Sequence, residues 1–262
     1  MRLHASCEMT LNAKGSVPLV AMLRPKSGRM QFVAGESYEI EPFVPVIEYV
    51  DSFGNLCQRL TARPGSFRIR VSAVVEVAED IDVAPGAAFT PIEELPDDVL
   101  QFLLPSRYCP SDRMGDTAQT ATQKCKPGYD QVETISAWIH REFEYRYGVS
   151  DGSTGALETL HDRAGVCRDF SHVGISLCRA LRIPARMVVG YLHGLDPMDM
   201  HAWFEAFVDG RWYTFDATQN APRGGRIAVA YGRDAADVAL FTEYGPIEVK
   251  KMKVAVTDSK TA

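Results

Sequence analysis

The sequence predicts an α+β protein in which a small β-sandwich domain precedes a second domain of helices followed by antiparallel strands. Two observations lead to this prediction. The first 80 residues alternate polar and apolar side chains between Gly- and Pro-containing turns, which is typical of short antiparallel strands. After Pro127 the apolar residues recur at helical spacing, and runs of β-branched and aromatic residues then surround an Asp-Gly turn.

The strands of the first domain are the clearest local prediction. Residues 67–77 place apolar side chains at every second position, so this segment is expected to form a long strand with one exposed face. Asp51-Ser-Phe-Gly-Asn55 carries turn residues between two strand-like runs, 46–50 and 56–60. We therefore assign residues 1–90 to an N-terminal β-sandwich domain.

A strongly acidic segment marks the predicted boundary between the domains. Residues 76–98 contain eight Asp or Glu residues and no Lys or Arg. A charge run of this kind is usually a solvated connector rather than an interaction tail. We assign residues 91–127 to a connector with a short helix near 97–104, and residues 128–262 to the second domain.

The second domain is predicted to contain three helices and then three strands. Asp130 is a candidate N-cap for the first helix, Gly165 is expected to stop the second, and Ile183-Pro184 ends the third. Asp209-Gly210 is the strongest short-range hairpin signal and is expected to join the last two strands. The predicted helices cover 132–143, 154–163 and 167–181, and the strands cover 186–192, 200–208 and 211–218.

Composition excludes several classes of protein. The chain has 262 residues, a formal charge of −6 and a pI of about 5.6, so no phosphate-binding surface is indicated and no nucleic-acid partner is expected. No apolar stretch approaches the roughly 18 residues of a membrane span, so no membrane partner is expected. Six cysteines are too few for a disulfide scaffold, and the N-terminus lacks a signal-peptide pattern. We expect a soluble, cytoplasmic protein.

Metal and cofactor motifs are not found in the sequence. It contains no Cys-x-x-Cys pair, no His-Glu-x-x-His motif and no EF-hand loop. The Gly224-Gly225 pair lacks the lysine and the strand context of a phosphate-binding loop. We therefore predict neither a metal site nor a cofactor.

Cys167 is the first residue that could perform chemistry. It follows Gly165-Val166 and begins a predicted helix, so its sulfur should lie at the first helical turn. Unpaired N–H groups and the helix dipole favour a thiolate there. Taken alone, a buried structural cysteine is the more common explanation, because free cysteine is among the most buried residue types.

His201 and Asp216 are predicted to be neighbours across the hairpin. If Asp209-Gly210 is a two-residue turn, Trp203 lies opposite Asp216 and His201 lies opposite Thr218. His201 and Asp216 are then diagonal neighbours on one face, with a Cβ separation of about 7 Å. Singly, each residue has a structural explanation. Together with a cysteine at a helix start they form the arrangement needed for nucleophilic catalysis.

These segments resemble the transglutaminase-like superfamily, whose catalytic core has a papain-like fold. The resemblance covers about residues 130–220. It rests on four blocks in order: Gly165-Val-Cys167-Arg-Asp-Phe-Ser-His172, Arg179-Ala-Leu-Arg-Ile-Pro-Ala-Arg186 with Gly190-Tyr191, Asp199-Met-His201-Ala-Trp203-Phe-Glu205, and Trp212-Tyr-Thr-Phe-Asp216-Ala-Thr218.

The resemblance implies a role for each member of a Cys-His-Asp triad. Cys167 is the implied nucleophile, His201 the base and acid, and Asp216 the residue that orients His201. The family usually has a proline after the aspartate, where this chain has Ala217; this difference should alter the local turn and leave the triad intact. The N-terminal β-rich part also looks like the small domain that precedes this core in bacterial members.

The predicted function is that of a cysteine-dependent amide hydrolase or acyltransferase. It is expected to act through a thioester acyl-enzyme on peptide or protein amides, with a protease or deamidase favoured. The alternatives are a protein-crosslinking transglutaminase and a non-catalytic binding module that retains the fold. One oxyanion donor is expected to be the Cys167 N–H, and the second a side chain between Trp138 and Tyr147. Asp169 is expected to stabilise its helix start, and His172 to pack locally.

Overall fold

The computed structural model describes residues 1–259 and confirms the α+β class. Over these described residues there are three 3-10 turns, Ile92–Glu94, Gln101–Leu103 and Ser111–Arg113. The strands and α-helices, in chain order, are β1 (Arg2–Ala13), β2 (Val17–Ala21), β3 (Gln31–Glu41), β4 (Val46–Val50), β5 (Leu56–Ala62), β6 (Gly65–Val77), α1 (Asp97–Leu100), α2 (Gly115–Thr122), α3 (Tyr129–Glu142), β7 (Glu144–Tyr145), α4 (Ala156–Asp162), β8 (Ala164–Gly165), α5 (Cys167–Ala180), β9 (Ala185–Leu192), β10 (His201–Val208), β11 (Arg211–Phe215), β12 (Arg226–Gly232), β13 (Phe241–Glu243) and β14 (Ile247–Asp258).

The N-terminal strands form two antiparallel four-stranded sheets. Their strand orders are β14-β1-β6-β3 and β13-β2-β5-β4. Alternate side chains of β1 and β6 are buried, as their sequence period predicts, and they pack with the inward residues of β2 and β5 in one apolar core. The two sheets therefore form the predicted sandwich.

The C-terminal strands correct the predicted domain assignment. The prediction placed residues 128–262 in the second domain, of which residues 260–262 lie outside the described residues. β14 instead pairs with β1 over eleven residues, and β13 pairs with β2. These strands complete the edges of the two N-terminal sheets, where β1 and β2 would otherwise leave backbone N–H and C=O groups unpaired.

The predicted connector, residues 91–127, also differs from expectation. The short helix near 97–104 is present as α1 and the following 3-10 turn. The segment is nevertheless packed rather than only connecting: Met114 and Ala118 belong to the main core of the second half, and Val99 packs against Phe207. Its α2 helix was not predicted, because its sequence has no strong apolar period. The acidic residues of 76–98 are exposed, as expected of a solvated charge run.

The second half is built on a sheet with strand order β11-β10-β9-β12, packed against α5. The β10–β11 turn is the predicted two-residue Asp209-Gly210 loop, with φ of 49° and 75°. Positive φ at both positions is the signature of a type I′ turn, which fixes an even register between the strands. The second predicted helix, 154–163, is α4 (Ala156–Asp162), and the residue that stops it is Arg163, in the left-handed conformation (φ 52°), rather than the predicted Gly165.

The sandwich and the second half share apolar packing. Tyr191, Ile227 and Val229, from β9 and β12, are buried in the same cluster as the inward residues of the sandwich. Within residues 1–259, none of the helices has the length and apolar character needed to cross a bilayer.

Gly190 is the point of closest approach between β9 and β12. It pairs with His201 on one side and with Ala228 on the other. A Cβ atom at this position would lie 1.9 Å from the backbone oxygen of Ile227. The two strands can pair at this distance only because the side chain is absent.

We predict that Gly190→Ala destabilises the protein by about 2–3 kcal/mol, because the added methyl group must push two paired backbones apart. Chemical denaturation monitored by circular dichroism measures this change. Gly35→Ala on β3 is the matched control, since a Cβ there meets nothing within 4 Å. A Gly190→Ala variant as stable as the Gly35→Ala variant would contradict the close approach.

Candidate active site

Cys167 is the first residue of α5, and its side chain is partly exposed. Val166 is extended, so the chain turns into the helix directly at the cysteine. The first N–H groups of a helix have no partner within it, and they carry the positive end of the helix dipole. The thiol therefore lies where negative charge is stabilised.

The start of α5 is held by Asp169, as expected from its position. This fully buried carboxylate accepts the Val166 N–H at 2.9 Å and the Ser150 hydroxyl at 2.5 Å through Oδ2. Its Oδ1 accepts two N–H groups of Arg168, at 2.8 and 3.0 Å. These bonds fix the turn that presents Cys167.

His201 and Asp216 meet as the hairpin register predicts. β10 and β11 pair with Phe204 opposite Phe215 and Val208 opposite Arg211, which confirms the predicted alignment. Asp216 lies just beyond the last residue of β11, and its Oδ2 is 2.7 Å from His201 Nε2. An ionised carboxylate can only accept, so Nε2 is the donor in this bond.

The Asp216 carboxylate is buried, with a side chain 3 % exposed, and each oxygen has two partners. Oδ1 accepts the Thr218 N–H at 3.0 Å and the Thr218 hydroxyl at 2.7 Å. Oδ2 accepts from His201 and lies 2.9 Å from Nη1 of Arg226. Burial alone would raise the pKa of Asp216, but His201, then Arg226 and Thr218, outweigh it and hold the pKa well below its usual range.

His201 is prepared to carry a positive charge. Burial alone would lower its pKa, but the Asp216 charge and hydrogen bond, with a smaller contribution from Cys167, raise the pKa to about 9. Within residues 1–259, Nδ1 is buried and has no hydrogen-bond partner, so this nitrogen is available to exchange a proton. The structure thus brings Cys167, His201 and Asp216 into one cluster.

Tyr145, in the segment from Trp138 to Tyr147, lies beside Cys167. The parallel β7–β8 bridge pairs Tyr145 with Gly165, two residues before the cysteine, and the Arg146 N–H donates to the Gly165 oxygen at 2.9 Å. Desolvation raises the pKa of the Tyr145 phenol well above its ordinary value, and the adjacent Cys167 raises it further. The phenol therefore remains a hydrogen-bond donor.

His172 packs locally, as its position on α5 predicts. Its buried ring stacks on Tyr108 with centroids 5.1 Å apart, and Nε2 accepts the Ala235 N–H at 3.2 Å. Burial lowers the pKa of His172 to about 4, so the ring is neutral. Cys178 is also buried in the core, as predicted.

Sequence reasoning did not identify Arg226 and Thr218 as partners of Asp216. Thr218 carried a usable signal, because an aspartate side chain commonly accepts the backbone N–H two residues on in an Asx turn, and a threonine there can also donate its hydroxyl. Arg226 carried a weaker one: it begins the alternating run Arg-Ile-Ala-Val-Ala-Tyr after two glycines, which is a strand pattern. Its proximity to Asp216 depends on β12 pairing with β9.

Comparison with known proteins identifies the family. A model described as the transglutaminase-like superfamily matches residues 115–217, a range that includes Cys167, His201 and Asp216. The crystal structure of a proposed cysteine protease from Cytophaga hutchinsonii is 34 % identical to this chain, with a TM-score of 0.93. The alignment covers 100 % of this chain and 92 % of that one. The chain belongs to the transglutaminase-like superfamily.

Mycobacterial proteins are also similar. An uncharacterized protein of Mycobacterium leprae is 28 % identical over 236 residues, which cover 84 % of this chain and 83 % of that protein. An uncharacterized protein of Mycobacterium tuberculosis is 35 % identical over 128 residues, covering 43 % of this chain and 41 % of that protein.

The raised pKa of His201 predicts a pH dependence of stability. A group whose pKa is about 9 when folded and about 6.5 when unfolded stabilises the folded state fully below the lower value. That contribution disappears as the pH rises through the upper value. In a Cys167→Ser background, we expect the stabilising effect of His201 relative to His201→Gln to fall by about 2–3 kcal/mol between pH 6 and pH 9.5.

Urea denaturation of both proteins at several pH values measures this difference. A difference in unfolding free energy that stays constant, or that grows with pH, would show that His201 is not held as a protonated imidazolium.

Proposed function

We propose that this protein is a cysteine-dependent hydrolase of peptide or protein amides that acts through a thioester acyl-enzyme. The observation that carries the proposal is the 2.7 Å bond between His201 Nε2 and Asp216 Oδ2, formed beside a cysteine at a helix start. A buried carboxylate bonded to one imidazole nitrogen leaves the other nitrogen free to exchange a proton. The similarity to a proposed cysteine protease over the whole chain supports the same class.

The proposed reaction has two steps. The Cys167 sulfur attacks the amide carbon and forms a C–S bond, while the His201 imidazolium gives its proton to the leaving nitrogen as the C–N bond breaks. Neutral His201 then takes a proton from water, whose oxygen attacks the thioester. The carboxylic acid is released as the C–S bond breaks and Cys167 recovers its starting form.

Tyr145 and the Cys167 N–H are the proposed oxyanion donors. The Cys167 N–H lies at the start of α5 because Cys167 is the first residue of that helix. The Tyr145 phenol lies there because the β7–β8 bridge pairs Tyr145 with Gly165. Negative charge develops on the carbonyl oxygen during attack, and two donors aimed at that oxygen stabilise it.

Labelling with iodoacetamide tests the nucleophile. All six cysteines are free thiols and four of them are buried, so Cys125 and Cys167 are the partly exposed pair. We expect one thiol that reacts at pH 6.5 at least tenfold faster than glutathione. This fast reaction should be lost in Cys167→Ser, slowed in His201→Ala, and retained in the control Cys125→Ser.

Product masses from a peptide mixture then test the reaction. Cleavage products indicate proteolysis, a gain of about one mass unit indicates deamidation, and an adduct with an added primary amine indicates transfer. We expect hydrolysis products with the parent and with Cys125→Ser, and none with Cys167→Ser. A protein without a fast thiol and without products is a binding module, and amine adducts alone mean a crosslinking enzyme.

Replacement of Tyr145 by Phe separates oxyanion stabilisation from thiol reactivity. Acylation of Cys167 by p-nitrophenyl acetate passes through an oxyanion, whereas alkylation by iodoacetamide does not. We expect Tyr145→Phe to slow acylation by about 100-fold and to leave alkylation unchanged.

Tyr244→Phe is the matched control, because Tyr244 is 67 % exposed and lies between β13 and β14 on the sandwich. Equal acylation rates for the parent and Tyr145→Phe would show that the second donor lies elsewhere.

A further inference from the structure

We propose that Arg226 is a positioning residue of this site. Arg226 shares the Asp216 carboxylate with His201 and so limits how strongly that carboxylate holds the imidazole proton. The inference rests on the proposed function, in which His201 must both give and accept a proton. Arg226 does not touch the reacting sulfur in this scheme. Its effect on His201 is transmitted through Asp216.

The two cations converge on one oxygen atom. Asp216 Oδ2 is 2.7 Å from His201 Nε2 and 2.9 Å from Arg226 Nη1. The Arg226 side chain is only 6 % exposed, so water screens its charge poorly. The other carboxylate oxygen is occupied by the two bonds from Thr218.

Arg226 is anchored on two further sides. Its Nε donates to the Arg223 oxygen at 3.0 Å, and its guanidinium carbon lies 5.1 Å from the centre of the Trp203 ring. That same ring stacks against His201, with centroids 6.2 Å apart and an angle of 29° between the planes. Trp203 therefore contacts both of the cations that share Asp216.

Burying a guanidinium here is costly. Within the described residues, neither Nη atom of Arg226 makes a hydrogen bond of good geometry, and the Asp216 contact is an ion pair. Burial of such a charge costs several kcal/mol unless it is paired. A neutral residue of similar size would fill the same space with a smaller desolvation cost. The positive charge of Arg226 is therefore the feature that needs an explanation.

The electrostatic consequence concerns the proton on His201. The charged and titratable groups that act on this imidazole are the Cys167 thiol from α5 and Asp216 at the end of β11, which in turn faces Arg226 from β12. A carboxylate with no second cation would hold the imidazolium more tightly. A general acid and base works best when it can lose its proton near the working pH, and Arg226 shifts His201 in that direction.

The N-terminal sandwich sets the place of Arg226. The residues just before β12 are Gly224 and Gly225, and the Gly225 N–H donates to the Ala78 oxygen at 3.0 Å. A Cβ on Gly224 would lie 2.3 Å from the Glu79 oxygen, so the two backbones are in close contact. The segment that follows β6 thus holds the loop that precedes Arg226.

Histidine NMR in a Cys167→Ser background tests the inference without requiring turnover. Nitrogen-15 shifts of the six histidines are followed against pH, with His201 assigned from its loss in His201→Gln. We expect Arg226→Met to raise the pKa of His201 by about one unit, because the carboxylate loses its second cation. Arg226→Lys, which keeps a positive charge, should leave the pKa of His201 close to the parent value.

Arg186→Met is the matched control. Arg186 lies on the neighbouring strand β9, pairs with Glu205 at 2.6 Å and lies 4.1 Å from the Trp212 ring centre, but does not contact Asp216. We expect it to leave the His201 titration unchanged. An Arg226→Met titration within 0.2 units of the parent, or shifted to lower pH, overturns the inference, and Arg226→Gln carries the same expectation if the methionine variant does not fold.

The outcomes separate the two proposals. A shifted His201 titration in a protein that hydrolyses no amide supports the role of Arg226 and contradicts the proposed function. An unshifted titration in an active hydrolase contradicts only the role of Arg226. If the protein is active, Arg226→Met made in the protein that keeps Cys167 should also move the alkaline limb of the pH–rate profile to higher pH.

Discussion

The buried carboxylate of Asp216 is the constraint on which the rest of the site depends. An ionised group that is 3 % exposed is stable only if charges and hydrogen bonds replace the water it has lost. The replacement comes from three places: His201 on β10, Thr218 in the turn after β11 and Arg226 at the start of β12. A slip of the sheet register by one residue would leave this charge unpaired, so the same contacts that prepare His201 also fix the strands.

The two halves of the molecule contribute unequally to this arrangement. The second half provides the helix start with Cys167 and the strands with His201 and Asp216. The sandwich supplies no member of the proposed Cys-His-Asp triad, but it buries one face of β9 and β12 and contacts the loop before Arg226. The sandwich is thus part of the framework that holds the site.

Much of the fold could be predicted because the patterns that specify it are local. Alternation over 67–77 predicts β6, the helical period predicts α3, and Asp209-Gly210 predicts a hairpin whose register follows from the turn alone. The return of β14 to β1 could not be predicted, since its partner lies more than 230 residues away. No local pattern encodes which strand edge a distant segment will complete.

The sequence by itself determined which side chains are the candidates for the site, and that His201 and Asp216 lie close together. Cys167 at a helix start, and His201 diagonal to Asp216, follow from capping and hairpin geometry, which act over a few residues. Only the tertiary structure decided that Tyr145 lies beside the thiol and that Arg226 lies against Asp216. Both positions depend on pairings between distant strands, β7 with β8 and β12 with β9, and the ionisation of His201 and Asp216 depends on the burial that those pairings create.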